Sequence, residues 1–418
     1  MSDGRGAPGG RHPWGPALAL VWGGELVSVL TSSVLQMGFI WHITLSTDSA
    51  GMLSLASLAG FLPLAVVGPL AGVVVDRLSV CRVLVGADLF IAAVSAVVAL
   101  VSALGALPVS AVVAALFFRA LGSAFHTPAF QALTPLVAPP EHLTRLAGVS
   151  QAVQSGGYIL GTAVAAVVYP LWGLTAMIAL DVAGALIASA AVLAARLDLP
   201  VPRRAERGRG LAAQARALLA ETAEGYRVLR SHRGLFALLW CGFAFTLAFS
   251  PISALFPLMS LGHFGGTTGD AALAEIAFSV GMIAGSALLA STGGLGSRAL
   301  TVVAATALYG AATLAAGLLP AGGFPAFLFL SALMGLSSPF YSGPQTALMQ
   351  ERIAPEYLGR VFGLYGSIMS WAMPAGLAVS ALFSDAVGAP AWFVGAGAAM
   401  IALAALTWAI PSIRHIED

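Results

Sequence analysis

Five charged side chains sit inside long apolar runs of this chain: Glu25, Asp88, Arg119, Asp181 and Glu275. A charge in such a run costs roughly 2.5–3.5 kcal/mol on membrane-insertion scales, so each is a functional candidate by default. A buried carboxylate near an arginine can take up or release a proton as the arginine shifts its contacts. Glu25 lies a third of the way along its run, in VWGGELVSVL, and Arg119 lies mid-run in LFFRALGSAF. The two runs cross in opposite directions, and at about 1.5 Å rise per residue their depths can match. Glu25 and Arg119 can then couple proton entry to substrate exit, or form a static ion pair. Asp88 (GADLF) and Asp181 (ALDVAGA) can join proton coupling or accept hydrogen bonds between helices. Glu275, near the outer end of its run, either reaches water or takes a transport role. His126, in AFHTP, is expected as a packed hydrogen-bonding residue ahead of a proton carrier, and His42 and His263 as residues of the outer interface.

The elements that must position these groups are long and apolar. Of 418 residues 59% are hydrophobic and only 9% charged, where a soluble chain carries about 25% charged residues. Runs of about 20 apolar residues cross a bilayer as helices. Hydropathy gives twelve: 16–44, 51–75, 82–104, 109–137, 146–169, 171–195, 234–261, 271–291, 298–319, 324–349, 357–383 and 389–410. The fold class expected is an all-α membrane protein. With the N-terminus inside, the inner loops hold Arg77, Arg82, Arg145, Arg298, Arg352 and Arg360, whereas the outer loops hold Asp48, Asp270 and Asp385 and no Arg. By the positive-inside rule both termini are expected in the cytoplasm. The N-terminal MSDGRGAPGGRHPWG reads as a cytoplasmic tail, not a signal peptide.

The runs fall into two halves. Residues 121–155 return, shifted by 215 positions and without a gap, at 336–370. Leu121/Leu336, Phe125/Phe340, Pro140/Pro355, Glu141/Glu356, Arg145/Arg360 and Gly148/Gly363 are among the identities, and each copy carries a P-E-x-L-x-R turn between two apolar segments. Such an offset marks parallel repeats. The expected organisation is a six-helix domain over 1–195, a linker over 196–233 and a second six-helix domain over 234–418. The linker ends in LAAQARALLAETAEGYRVLR, read as an amphipathic helix along the inner membrane surface, with a flexible linker as the alternative.

All 19 basic residues are Arg. Without Lys the chain cannot itself be a P-loop ATPase or a pyridoxal enzyme. Cys81 and Cys241 give neither a disulfide framework nor a metal-ligand spacing. No nucleophile–base spacing or metal cluster appears, so an enzyme is the least favoured class and no cofactor is expected. A net charge of +1 offers nothing to a nucleic acid. A monomer is expected.

GVVVDRLSVCR, residues 72–82, can form an electrostatic latch in which Gly72 allows close helix approach and Asp76, Arg77 and Arg82 bridge neighbouring helix ends. This loop is similar to the loop motif of the major facilitator superfamily, usually written G-x-L-A-D-R-x-G-R-K, with Val80 and Cys81 in place of the basic pair and Arg82 one place later. Arg119-x-x-Gly122 resembles the fourth-helix arginine motif of proton-coupled exporters. Gly157-Tyr-Ile-Leu-Gly161 resembles the fifth-helix antiporter motif, with Thr162 where Pro is usual, and Pro374 and Gly376 partly restore that pattern in the second half. Segments such as WGGELVSVLTSSVLQM, FFRALGSAFHTPA, MGLSSPFYSG and PEYLGRVFGLYGSIMSWAMP resemble the macrolide-efflux branch of drug:proton antiporters, from about Trp22 to the last span.

The resemblance implies two pseudo-symmetric six-helix domains in a bacterial plasma membrane. It also implies export of a small amphipathic drug, driven by the proton gradient, by alternating access. The cavity is expected between the halves near the midplane, lined by Trp22, Glu25, Gln36, Arg119, Gln131, Phe245, Met334, Tyr341, Gln345 and Trp371. Export of a self-made metabolite is the second reading, and a non-transporting membrane scaffold or sensor the reading from another class.

Overall fold

Helices follow wherever the apolar runs were long enough to satisfy every backbone group internally, as a bilayer demands. The computed structural model describes residues 14–75, 78–105, 107–137, 143–197, 222–294 and 296–417. The first half comprises α1 (Trp14–Thr47), α2 (Ala50–Val75), α3 (Val80–Ala103) and α4 (Val109–Val137), followed by one continuous run, Leu143–Ala194. Gly173 breaks that run with a left-handed φ of 68°, a conformation glycine adopts without steric cost. Its arms, 143–172 and 174–194, are α5 and α6. The second half comprises α7 (Arg233–Leu258), α8 (Thr268–Thr292), α9 (Arg298–Gly317), α10 (Phe324–Arg352), α11 (Pro355–Val387), α12 (Ala389–Ala409) and a single turn, α13 (Pro411–Arg414). Among the described residues eleven helical stretches have the length and apolarity of a membrane span. The break at Gly173 divides one of them, making twelve crossings.

The halves pack in the same order. α1 lies on α5 and α6 as α7 lies on α11 and α12, α2 on α4 as α8 on α10, and α3 on α6 as α9 on α12. A histidine contact repeats as well. His42 Nε2 of α1 meets the Leu107 carbonyl at 3.3 Å, and His263 Nε2, in the π-turn Met259–His263 that ends α7, meets the Leu319 carbonyl at 2.8 Å. Each histidine ties the end of its half's first helix to the loop following the third.

Small residues set the helix spacing, because packing between helices in lipid has little hydrophobic driving force and depends on close contact. A Cβ at Gly161 would stand 2.5 Å from the Leu30 carbonyl oxygen, and one at Gly157 2.7 Å from Val29 Cγ1. The Gly157/Gly161 face of α5 thus seats α1. In the other half a Cβ at Gly376 of α11 would stand 2.3 Å from the Leu247 carbonyl oxygen of α7, and Pro374, two residues earlier, is buried. Both sequence motifs are packing faces in their own half.

The acidic residues of the loops opposite the termini have local work. Asp270 accepts from the Thr267 backbone N–H at 2.7 Å while Thr267 Oγ1 accepts from the Asp270 N–H, a capping box that starts α8. Asp385, in the last turn of α11, accepts from the Gly51 N–H at 2.8 Å and from Ser49 Oγ at 2.9 Å. Ser54 Oγ and Ser380 Oγ meet at 2.7 Å one turn deeper. These bonds join α2 to α11, and so one half to the other, at the end away from the termini.

Residues 198–221 of the linker lie outside the described residues. Residues 222–231 are helical and pack on the C-terminal half. Glu224 pairs with Arg360 of α11 at 3.2 Å, and Leu229 is fully buried in a cluster with Leu235, Val361 and Ile413.

Candidate functional site

A cavity of about 560 Å³ lies between the halves. Its two walls differ in chemistry. The first half contributes Glu25, Ser28, Ser32 and Gln36 from α1, Asp88 from α3, Arg119 and His126 from α4, and Gln154 and Tyr158 from α5. The second half contributes Phe249, Ile252 and Phe256 from α7, Glu275 and Phe278 from α8 and Tyr309 from α9. The first wall carries most of the charge, set among apolar residues such as Phe61, Leu64 and Ile91. The other is aromatic with a single carboxylate.

On the polar wall Arg119 does not pair with Glu25, as expected from depth alone. Its guanidinium pairs with Asp181 of α6 through both nitrogens, one of them at 2.9 Å, and also reaches Ser95 of α3. Ser32 Oγ donates to Asp181 Oδ1 at 2.9 Å, and Ser95 Oγ donates to Asp181 Oδ2 at 2.7 Å. Asp181 is 1% exposed and Arg119 8%. A buried pair of this kind persists only when the remaining hydrogen-bonding capacity of both ions is met, which the two serines do. The knot joins α1, α3, α4 and α6 within one half.

Glu25 belongs to a second cluster. His126 Nε2 lies 3.5 Å from Glu25 Oε2 and 3.3 Å from Asp88 Oδ1. Gln154 Nε2 donates to Glu25 Oε1 at 3.0 Å. The imidazole stacks parallel to Phe130 at 6.2 Å between centroids, which fixes its plane. Two carboxylates facing one imidazole nitrogen form a coupled set: a proton added anywhere in it alters the charge balance of all three groups. His126, expected as a packed hydrogen-bonding residue ahead of a proton carrier, bridges both carboxylates.

Glu275 stands on the opposite wall, half-buried. Tyr158 Oη of α5 donates to its Oε2 at 3.4 Å, a long hydrogen bond between the halves. The expectation that Glu275 merely reaches outer water is corrected, since it lines the cavity.

Most of the expected lining residues lie elsewhere. Gln36 faces the cavity. Trp22 packs in a cluster with Leu18 and Leu146, Gln131 faces outward and Trp371 is 49% exposed. Met334 is fully buried. Phe245 stacks on Tyr341 with centroids 4.6 Å apart, and Gln345 donates to the Leu238 carbonyl at 3.2 Å while accepting from Tyr365 Oη. Phe245, Met334, Tyr341 and Gln345 therefore fill the core of the second half. Phe245 lies one turn from the lining residue Phe249 on the same face of α7 and stacks on it with centroids 6.3 Å apart, so the two differ in position along the helix and not in its rotation. Of the latch, Gly72 lies in the final turns of α2 and Arg82 is exposed in the first turn of α3, while Asp76 and Arg77 lie outside the described residues. Tyr158, Phe249, Phe278 and Tyr309 went unnoticed because an aromatic in an apolar run carries no charge signal. For Tyr158 a signal existed: it follows Gly157, so the Gly face that seats α1 turns the tyrosine about 100° around the helix.

A twelve-crossing helical bundle of two similarly packed halves, with a charged cavity between them, defines a secondary transporter. The chain belongs to the major facilitator superfamily, whose family model matches residues 21–300. It is 46% identical to macrolide efflux protein A of Streptococcus pyogenes, over 97% of this chain and 98% of that protein. It is 49% identical to macrolide efflux protein A of Enterococcus faecalis over 79% of this chain and 99% of that protein. The multidrug efflux pump Tap of Mycolicibacterium fortuitum is 28% identical, over 96% of this chain and 97% of that protein. A crystal structure of the peptide transporter POT superposes with a TM-score of 0.74 at 14% identity, over 96% of this chain and 95% of that one.

Proposed function

We propose that this protein exports amphipathic drugs of the macrolide type from a bacterial cell in exchange for protons, by alternating access, as a monomer in the plasma membrane. The observation that carries the reading is the identity of 46% to macrolide efflux protein A along nearly the whole of both chains. The cavity agrees in chemistry, since an aromatic wall facing a polar one suits a ligand with one face of each kind.

Arginine placement supports an orientation with both termini in the cytoplasm. In that orientation the Ser49–Asp385, Gly51–Asp385 and Ser54–Ser380 bonds lie at the outer end, where they would hold the halves together while the inner end opens. Glu25, with Asp88 and His126, is the proton-titrating set, and the Arg119–Asp181 knot holds its frame. Asp76 and Arg77, with Gly72 and Arg82, serve as the inner gate when the halves rock closed.

Accumulation of radiolabelled erythromycin in drug-sensitive cells expressing the chain tests the reading. Accumulation is expected to be lower than in empty cells, and a protonophore to abolish the difference. Equal accumulation, with the protein demonstrated in the membrane, would overturn it.

A further inference from the structure

Glu275 is the one charged side chain that the second half presents to the cavity. The charges across from it are occupied. Arg119 is matched by Asp181, and Glu25 and Asp88 share His126. Among the described residues no arginine or histidine lies within ion-pair distance of Glu275, whose hydrogen bond comes from a neutral phenol, Tyr158, at 3.4 Å. A half-buried carboxylate that has lost part of its water and gained no cation is at a disadvantage.

The groups around it are aromatic. Phe278 follows by three residues, which places it on the same face of α8. Tyr309 lines the same cavity, and its ring meets that of Phe249 edge-on at 5.8 Å. Tyr158 completes the set from the facing half. Aromatic faces attract a cation through their quadrupole, most strongly where water is displaced. A carboxylate set among them suits a cation whose charge is shielded by carbon, such as a tertiary or quaternary ammonium. It suits a compact hydrated ion poorly.

We propose that Glu275, framed by Tyr158, Phe249, Phe278 and Tyr309, is the counter-ion for a hydrophobic cation in the cavity, and so the residue that makes the transporter select amine-bearing substrates. The proposal rests on the export reading for its biological setting but not for its chemistry. The Tyr158–Glu275 bond occupies the carboxylate when no cation is present, and an entering ammonium displaces the phenol. Because that bond spans the halves, displacing it also loosens one contact between them, which ties ligand entry to the rocking motion.

The test uses the full chain in lipid nanodiscs with tritiated tetraphenylphosphonium, a shielded cation, and tetraphenylborate, an anion of the same shape. Empty nanodiscs correct for partition into lipid. The wild type is expected to bind the cation saturably and to leave the anion at background. Glu275→Gln is expected to weaken cation binding at least about tenfold, while Glu275→Asp retains part of it and Tyr158→Phe binds as tightly as the wild type or more tightly. Thermal unfolding of each variant confirms that it is folded. Equal cation affinity in wild type and Glu275→Gln would overturn the proposal and leave Glu275 as a proton carrier or a packing residue. No saturable cation binding by the wild type would overturn it too. Neither result touches the macrolide reading, which the accumulation assay judges separately.

Discussion

Arg119 of α4 and Asp181 of α6 face each other across the interior of the first half, with Ser32 and Ser95 completing the shell of the carboxylate. Glu25, the partner that depth alone suggested for Arg119, is bound to His126 and Gln154 instead. The charged groups of the first half thus fall into two clusters: the Arg119–Asp181 pair with its two serines, and Glu25 and Asp88 about His126 with Gln154 on Glu25.

Breaking the Arg119–Asp181 pair should be a stability event. Asp181→Asn leaves the Arg119 guanidinium buried without a counter-ion, and removing one partner of a buried pair costs about 3–5 kcal/mol. Glu25→Gln keeps an acceptor for Gln154 and removes a charge, so its cost should stay within about 1 kcal/mol. Thermal unfolding of both variants in detergent is the comparison. A larger loss for Glu25→Gln than for Asp181→Asn would reverse the assignment of frame and proton site.

Coupling should separate from transport at Glu25. In proteoliposomes Glu25→Gln is expected to exchange labelled erythromycin for unlabelled drug at a rate close to wild type. The same variant should fail to concentrate drug against its gradient when a pH difference is imposed. Asp88→Asn should weaken the pH response as well, because it shares the His126 nitrogen with Glu25. Full pH-driven accumulation by Glu25→Gln would place the proton site elsewhere.

The serine contact between α2 and α11 offers a way to lock the outer end. Ser54 Oγ and Ser380 Oγ lie 2.7 Å apart. The double variant Ser54→Cys/Ser380→Cys, in a background where Cys81 and Cys241 are replaced by Ala, is expected to cross-link on mild oxidation. Drug efflux should then stop and return on reduction. Cross-linking that left efflux intact would mean this end need not part during the cycle.

Helix spacing gives a prediction with an internal control. A Cβ at Gly161 would meet the Leu30 carbonyl oxygen at 2.5 Å, whereas one at Gly156, on the same helix, would meet nothing within 4 Å. Gly161→Val should therefore force α5 off α1 and cost about 1–3 kcal/mol. Gly156→Ala should leave stability unchanged. Melting temperatures of the two variants decide it, and equal values would show that α1 is not seated by this glycine face.

Much of the architecture was legible in the residues alone. Crossing number follows from the length of the apolar runs, because no other backbone arrangement satisfies its own hydrogen bonds in lipid. The two halves follow from the gapless recurrence of residues 121–155 at 336–370. The Gly157/Gly161 and Gly376 faces were readable because a missing side chain has one use in a close-packed helix pair. That Glu25, Asp88, Arg119 and Asp181 matter could be seen from the cost of placing them there.

Only the tertiary structure decided which of these groups meet and which side chains see the cavity. Tyr341 and Gln345 sit deep in α10 yet turn into the core of the second half, while Tyr158, Phe249 and Tyr309 reach the cavity. A soluble helix announces its inward face by a polar outward one. A helix in lipid is apolar on the side toward its neighbours and on the side toward the bilayer, so its rotation leaves little trace in the residue pattern. The choice of Asp181 over Glu25 for Arg119 was made by that rotation and by where α6 crosses α3 and α4, geometry that exists only once all the helices are packed together.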